Sequence, residues 1–161
     1  MKTVKTNVMR ILEQHKIAFE SYTYGDGITA ISGMEVAELL GKDPLTVFKT
    51  LVTVGKSGQH YVFVLPVCRE LDLKKAAAAV KEKSVAMIPQ KELLPLTGYI
   101  HGGCSPIGMK KLFPTVLHMG AASLDTLCVS GGRIGLQVEL TPSALGKLAP
   151  YTLADIVTEE V

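Results

Sequence analysis

The run Val47-Phe48-Lys49-Thr50-Leu51-Val52-Thr53-Val54, tied by Gly55-Lys56-Ser57-Gly58 to Tyr61-Val62-Phe63-Val64-Leu65, restricts the fold more than any other feature. β-Branched and aromatic side chains crowd a helix but fit a pleated strand, and a short connection bearing two glycines folds the runs back as a β-hairpin. Helical signals surround this pair instead of alternating with single strands. Val4, Val8, Ile11 and Leu12 recur at helical spacing and predict a helix over 3–15. Phe19, Tyr22 and Tyr24 favour a strand before the Gly25-Asp26-Gly27 turn, and Ser32 with Glu35 forms a capping box for a helix through Leu40 that Gly41 closes. Asp43-Pro44 starts a single turn, and Asp72 caps a helix from Leu73 to Lys83. Val85 to Ile88 reads as a short strand, and Lys91 to Leu94 as a short helix that Pro95 and Gly98 close. Three more strands follow at Thr115 to Met119, Thr126 to Ser130 and Ile134 to Leu140, and Thr141-Pro142 opens a last helix through Leu148. Strands joined as hairpins with helices interspersed imply an α+β domain, with one mixed, largely antiparallel sheet flanked by helices over residues 1–161.

Composition narrows the setting. At 161 residues and 47% apolar side chains the chain supports an ordinary globular core. Its longest apolar stretch, Tyr61 to Cys68, is far short of the ~20 residues that cross a bilayer, so no membrane association is expected. The opening MKTVKTNVMRILEQ has no apolar core of the kind a secretory signal needs, and the three cysteines are odd in number without CxxC spacing. A cytoplasmic location is expected. Charge is unevenly spread: residues 1–68 carry 7 basic and 6 acidic side chains, 69–111 carry 8 and 4, and 112–161 carry 2 and 5. A basic middle third on a nearly neutral protein is either a solvated helix face or a surface that attracts a phosphate backbone.

Several residue patterns suggest chemistry and fail a closer test. Gly55-Lys56-Ser57 ends like a P-loop, but Thr50 occupies the place of the required first glycine and the segment joins two strands. His101 and Cys104 have ligand-like spacing without a second pair, so neither a metal nor a cofactor is expected. Cys68 and Cys128 lie in apolar strand sequence and read as core. Cys104 is either a nucleophile in a glycine-rich loop or a small residue filling it, and Ser105 before Pro106 is the usual cap of a turn. Gly102 and Gly103 permit either an anion-binding nest of N–H groups or a plain tight turn. Lys49 interrupts an apolar strand: it snorkels at a sheet edge or stands in a cleft as a cation for a phosphate or carboxylate.

Phe48-Lys49-Thr50-Leu51, the loop Gly102-Gly103-Cys104-Ser105-Pro106-Ile107-Gly108, Lys110-Lys111, Pro114-Thr115 and Ser130-Gly131-Gly132-Arg133 together resemble the YbaK/EbsC family of aminoacyl-tRNA deacylases, to which the editing domain of bacterial prolyl-tRNA synthetases is related. The resemblance covers nearly the whole chain. It implies clearance of a mischarged amino acid, typically cysteine, from tRNA(Pro), with the substrate's own thiol attacking the ester. It leaves open clearance of another residue such as alanine by water, and a tRNA- or synthetase-binding module without chemistry. It further implies that Lys49 holds the terminal adenosine or its phosphate, that Gly102, Gly103 and Ser105 present donors to the ester, and that Tyr24 and Thr50 belong to the pocket, beside a loop carrying Pro106 and Gly108. Ser32 stands where the family often has an aromatic residue and Gln137 where an acid is common, so both alter the pocket. Docking to prolyl-tRNA synthetase is the implied route to choosing one tRNA.

Overall fold

The computed structural model describes residues 5–159; Val4, the first residues of the helix expected over 3–15, and the two ends of the span 1–161 lie outside the described residues. Helix α1 (Asn7–Gln14) starts where the Thr6 hydroxyl accepts the Met9 N–H at 3.3 Å, and it buries Val8, Met9 and Leu12. Strand β1 (Glu20–Thr23) leads to α2 (Gly33–Leu40), which has the predicted capping box: Ser32 Oγ accepts the Glu35 N–H at 3.2 Å and donates to its carboxylate at 3.1 Å. Gly41, at φ 65°, ends the helix in the left-handed conformation a glycine adopts without strain. Asp43 caps one 3-10 turn, Pro44–Thr46, and the hairpin follows as β2 (Phe48–Gly55) and β3 (His60–Pro66). The remaining elements are α3 (Leu73–Ala79), β4 (Val85–Met87), α4 (Leu93–Thr97), β5 (Thr115–His118), β6 (Leu127–Ser130), β7 (Leu136–Leu140), α5 (Pro142–Leu148) and β8 (Tyr151–Ala154).

The strands form two sheets. An antiparallel sheet has the order β1-β7-β6, and a mixed one the order β4-β2-β3-β5-β8, in which β5 lies parallel to both β3 and β8. The α+β class with mixed, largely antiparallel pairing is present, with that pairing divided between two sheets. A single bridge from Val47 to Cys128 brings the start of β2 onto β6 and joins them. Side chains of α1, β2, β3 and the β6–β7 hairpin meet in the main core, with Leu12, Leu127, Val129, Leu136 and Val138 all fully buried. A second core beneath α3 gathers Phe63, Leu65, Ala76, Ala77, Val116 and Ile156, so β3 sends alternate side chains into the two cores.

Four expectations are corrected. Helix α3 stops at Ala79 and not Lys83, because the chain turns through Lys81 at φ 60°. Pro95 lies inside α4 and does not end it, since its missing N–H falls in the first turn, where no helical bond is required. Strand β8 was not expected: only two of its four residues are even half-buried and they do not alternate, so no period-2 signal marks an edge strand. Cys68 is not in the core but half-buried in the turn after β3, where Arg69 Nη1 donates to its sulfur at 3.7 Å; Cys128 is fully buried, as expected.

Candidate active site

Where the two sheets meet, a cleft of about 450 Å3 opens. One wall is β2, which contributes Lys49 and Thr50, and the other is the row Ser130–Gln137 across β6 and β7. Directly opposed residues on neighbouring strands share a face, so Gln137 in the middle strand has Ser130 on one side and Tyr22 on the other. Tyr24 and the start of α2, Ser32 and Gly33, also line it, as do His101, Gly102 and Cys104, with Gly102 packed on Ala30 just ahead of α2.

Three polar groups in this cleft lack partners. Burial lowers the Lys49 pKa from its ordinary value, with Glu70 and Cys68 offsetting part of the effect, and among the described residues no carboxylate stands within ion-pair distance. Thr50 Oγ1 and Gln137 Oε1 are buried with no hydrogen-bond partner, although Gln137 is only 6% exposed. Leaving a buried polar atom unpaired costs about 1–3 kcal/mol, and a partly desolvated cation adds to that. A cation and two acceptors unmet in one cavity describe a site awaiting a ligand with both an electron-rich oxygen and a hydrogen-bond donor.

The glycine loop is built differently from the expected run of free donors. The Gly103 N–H is donated to the Ile100 carbonyl at 3.0 Å, which closes a turn and withdraws it from any ester. Its φ is not positive; a side chain is excluded because a Cβ would stand 2.9 Å from the Arg133 Cα and carbonyl carbon. Gly102 is the positive one, at φ 88°, and it is the member of the pair that lines the cleft. Ser105 is fully buried and its Oγ accepts the Ile107 N–H at 3.2 Å, so it caps the loop and does not face the cavity. Pro106 is buried, and Gly108, at φ 78°, packs against Ile11 and Tyr99. Gly103, Ser105, Pro106 and Gly108 thus shape the loop and lie outside the cleft wall, whereas Lys49, Thr50, Gly102, Tyr24, Ser32 and Gln137 are brought together in it. Cys104 does line the cleft, but burial pushes its thiol up to about 12, far from a thiolate at neutral pH.

Residue-level reading missed two groups in the wall. The sequence offers His101 as a metal ligand or a base beside Cys104, and Ser130 as part of a turn motif; the signal for a place in the wall is adjacency to paired glycines that let the chain approach closely. Beside the cleft, Glu139 follows Gln137 on the same face of β7 and accepts from Tyr22 Oη at 2.6 Å, Thr126 Oγ1 at 2.6 Å and Lys42 Nζ at 3.2 Å. The Lys42 ammonium also lies 4.6 Å from the centre of the Tyr22 ring. Because Lys42 follows the end of α2, this network anchors to β7 the helix whose opposite end forms part of the cleft.

The chain is a two-sheet α+β domain with a polar cleft at the sheet junction, and the profile of the aminoacyl-tRNA editing domain matches residues 31–148. The chain belongs to the aminoacyl-tRNA editing domain family, of the YbaK/EbsC type. EbsC of Enterococcus faecalis (strain ATCC 700802 / V583), named as a candidate Cys-tRNA(Pro)/Cys-tRNA(Cys) deacylase, is 47% identical over 156 residues, which are 97% of this chain and 95% of EbsC. Two solved structures share the fold. A candidate trans-editing enzyme for prolyl tRNA synthetase superimposes with a TM-score of 0.81 at 24% identity over 98% of this chain and 100% of its own. Hypothetical protein APE2540 superimposes with 0.83 at 22% identity over 94% and 99%.

Proposed function

We propose that the protein is a free-standing deacylase that removes cysteine from tRNA(Pro), acting as one domain on aminoacyl ends released by a synthetase. The observation that carries this reading is the set of unpaired groups, Lys49, Thr50 Oγ1 and Gln137 Oε1, gathered in a single cleft of an editing-family chain. A small aminoacyl end suits a cavity near the lower limit of the ~300–1,000 Å3 usual for ligand sites. Lys49 holds the terminal adenosine, while Thr50 and Gln137 accept donors such as the α-ammonium or a ribose hydroxyl. Gly102 is the loop residue that presents backbone to the ester.

The attacking group is the substrate's own sulfur. It adds to the ester carbonyl as the bond to the ribose oxygen breaks, and the thiol proton ends on that oxygen, giving uncharged tRNA and a cyclic thiolactone that water opens. Orientation and charge placement are then the protein's contribution. Cys104, held protonated by burial, is not the nucleophile. Cys104→Ser therefore keeps most of the activity, while serinyl-tRNA(Pro) reacts slowly because a hydroxyl is a far weaker nucleophile than a thiol. A trapped acyl group on Cys104 would contradict this.

Prolyl-tRNA synthetase is the partner that supplies the tRNA, and the cytoplasm, where charged tRNA is made and used, is the working compartment. Two features agree with that setting: no helix among the described residues is long and apolar enough to cross a membrane, and all three cysteines are free thiols. The decisive experiment incubates cysteinyl-tRNA(Pro) with a catalytic amount of protein. Release of many equivalents of free tRNA per protein is expected, and release of one equivalent or fewer would make the chain a binding module.

A further inference from the structure

The turn between β6 and β7 holds a cation that the cleft does not use. Arg133 Nε is buried and has no hydrogen-bond partner, and among the described residues no carboxylate pairs with the guanidinium. Two backbone donors of the turn are taken internally: the Gly131 N–H reaches the Leu136 carbonyl at 2.9 Å and the Gly132 N–H reaches Ser130 Oγ at 3.2 Å. Gly103 packs directly on the Arg133 backbone, and Gly102 on the Ile134 side chain. The arginine is thereby locked to the loop that carries His101, Gly102 and Cys104 into the cleft, while standing outside the cleft wall itself.

An aminoacyl end seated in the cleft must pass out of it as polynucleotide, and the first group beyond the terminal nucleoside is a phosphodiester. A guanidinium offers phosphate a planar fork of N–H donors, and this one has no carboxylate among the described residues to give up before a phosphate takes it. We propose that Arg133 binds a phosphodiester of the tRNA 3′ end as the strand leaves the cleft, an RNA anchor separate from the ester pocket. The identity of the RNA rests on the editing-enzyme reading; the phosphate contact does not depend on turnover.

The test uses fluorescence anisotropy of a short single-stranded RNA ending in CCA with the full chain, as wild type, Arg133→Gln and Arg133→Lys, each checked by thermal melting. Arg133→Gln should weaken binding about tenfold, as expected for loss of a hydrogen-bonded charge, and should flatten the slope of log affinity against log salt by about 0.7, the value for one phosphate on a single strand. Arg133→Lys keeps the charge and loses the fork, so it should keep the wild-type slope with a smaller loss of affinity. An unchanged slope in Arg133→Gln, whether or not affinity falls, overturns the proposal, as does wild-type protein that binds no RNA. Wild-type protein that binds the RNA through Arg133 but never deacylates cysteinyl-tRNA(Pro) would uphold this contact and remove the enzymatic reading alone.

Discussion

Lys49 is a cation that burial disfavours in the folded chain, with no carboxylate within ion-pair distance among the described residues to offset the cost. Burial depresses the Lys49 pKa, so the charged form is less stable folded than unfolded. The sign follows: the penalty is present at any pH below the lowered folded pKa and is relieved as pH rises through it toward the ordinary lysine value. Lys49→Met should therefore raise the melting temperature by a few degrees at neutral pH while abolishing deacylation, and a stabilised variant with full activity would return Lys49 to a purely structural role. In the wild type, loss of substrate affinity on the alkaline side should begin below 10.5, the ordinary lysine pKa, which a pH profile of KM would read. Lys49 was legible because a charge amid Val47, Phe48, Leu51 and Val52 has few explanations. The unpaired state of Gln137 was not legible, since β7 gives no sign of which groups across the cleft fail to meet it. The loop-internal bonds of the Gly103 N–H and the Ser105 hydroxyl oxygen were not legible, because only the folded loop brings Ile100 and Ile107 to them. Gly103→Ala should lower stability by about 1–3 kcal/mol, the usual cost of overpacking, and lower activity with it, because the new Cβ meets the Arg133 backbone and not a flexible side chain. Unchanged melting would show that the loop gives way.

Between elements, the network on Glu139 turns α2, β1, β6 and β7 into one wall. Hydrogen bonds from Thr126 and Tyr22, with Lys42 beside them, hold the Glu139 carboxyl below its usual range, while Glu139 raises the Tyr22 phenol. A depressed carboxylate stabilises the fold above its unfolded pKa, and that contribution disappears as pH falls through the lowered folded value. Glu139→Gln should thus destabilise the protein by about 2 kcal/mol at pH 7, in the range for hydrogen bonds to a charged group, and the gap from wild type should close in acid melts. A gap that persisted unchanged at low pH would mean the loss came from packing. The same variant should raise KM more than it lowers kcat, since it loosens the helix that presents Ser32 and Gly33 and touches no reacting atom. The local elements behind this wall were readable: the Ser32–Glu35 box, the Gly41 stop and the glycine-bearing hairpin are each decided within a few residues. The division into two sheets and the β8 edge were not, because both depend on pairings between segments far apart in sequence, Val47 with Cys128 and Thr115–His118 with Tyr151–Ala154. Neither leaves a local pattern.

For the whole molecule, charge decides how the substrate is chosen. The formal net charge is +2, with most of the basic surplus in residues 69–111, and the cleft itself offers one unpaired cation. A protein that coated the acceptor stem would neutralise many phosphates, and its affinity would fall about 10³- to 10⁵-fold between 50 and 200 mM salt. On the proposed reading the cleft takes the ester and nucleoside, and the Arg133 contact adds one phosphate. The slope of log kcat/KM against log salt should accordingly be shallow, about −0.7 for one phosphate on a single strand. So few backbone contacts, all at the 3′ end that every tRNA shares, leave little with which to tell one tRNA body from another. Purified protein should then deacylate cysteinyl-tRNA(Pro) and cysteinyl-tRNA(Cys) with kcat/KM values within about tenfold of each other, a difference of about 1.4 kcal/mol. Adding prolyl-tRNA synthetase should widen the ratio in favour of tRNA(Pro), because selection resides in the enzyme that holds the whole tRNA. A steep salt slope, or strong discrimination by the isolated chain, would mean that the lysines of residues 69–111 form a second, extended surface for the tRNA body.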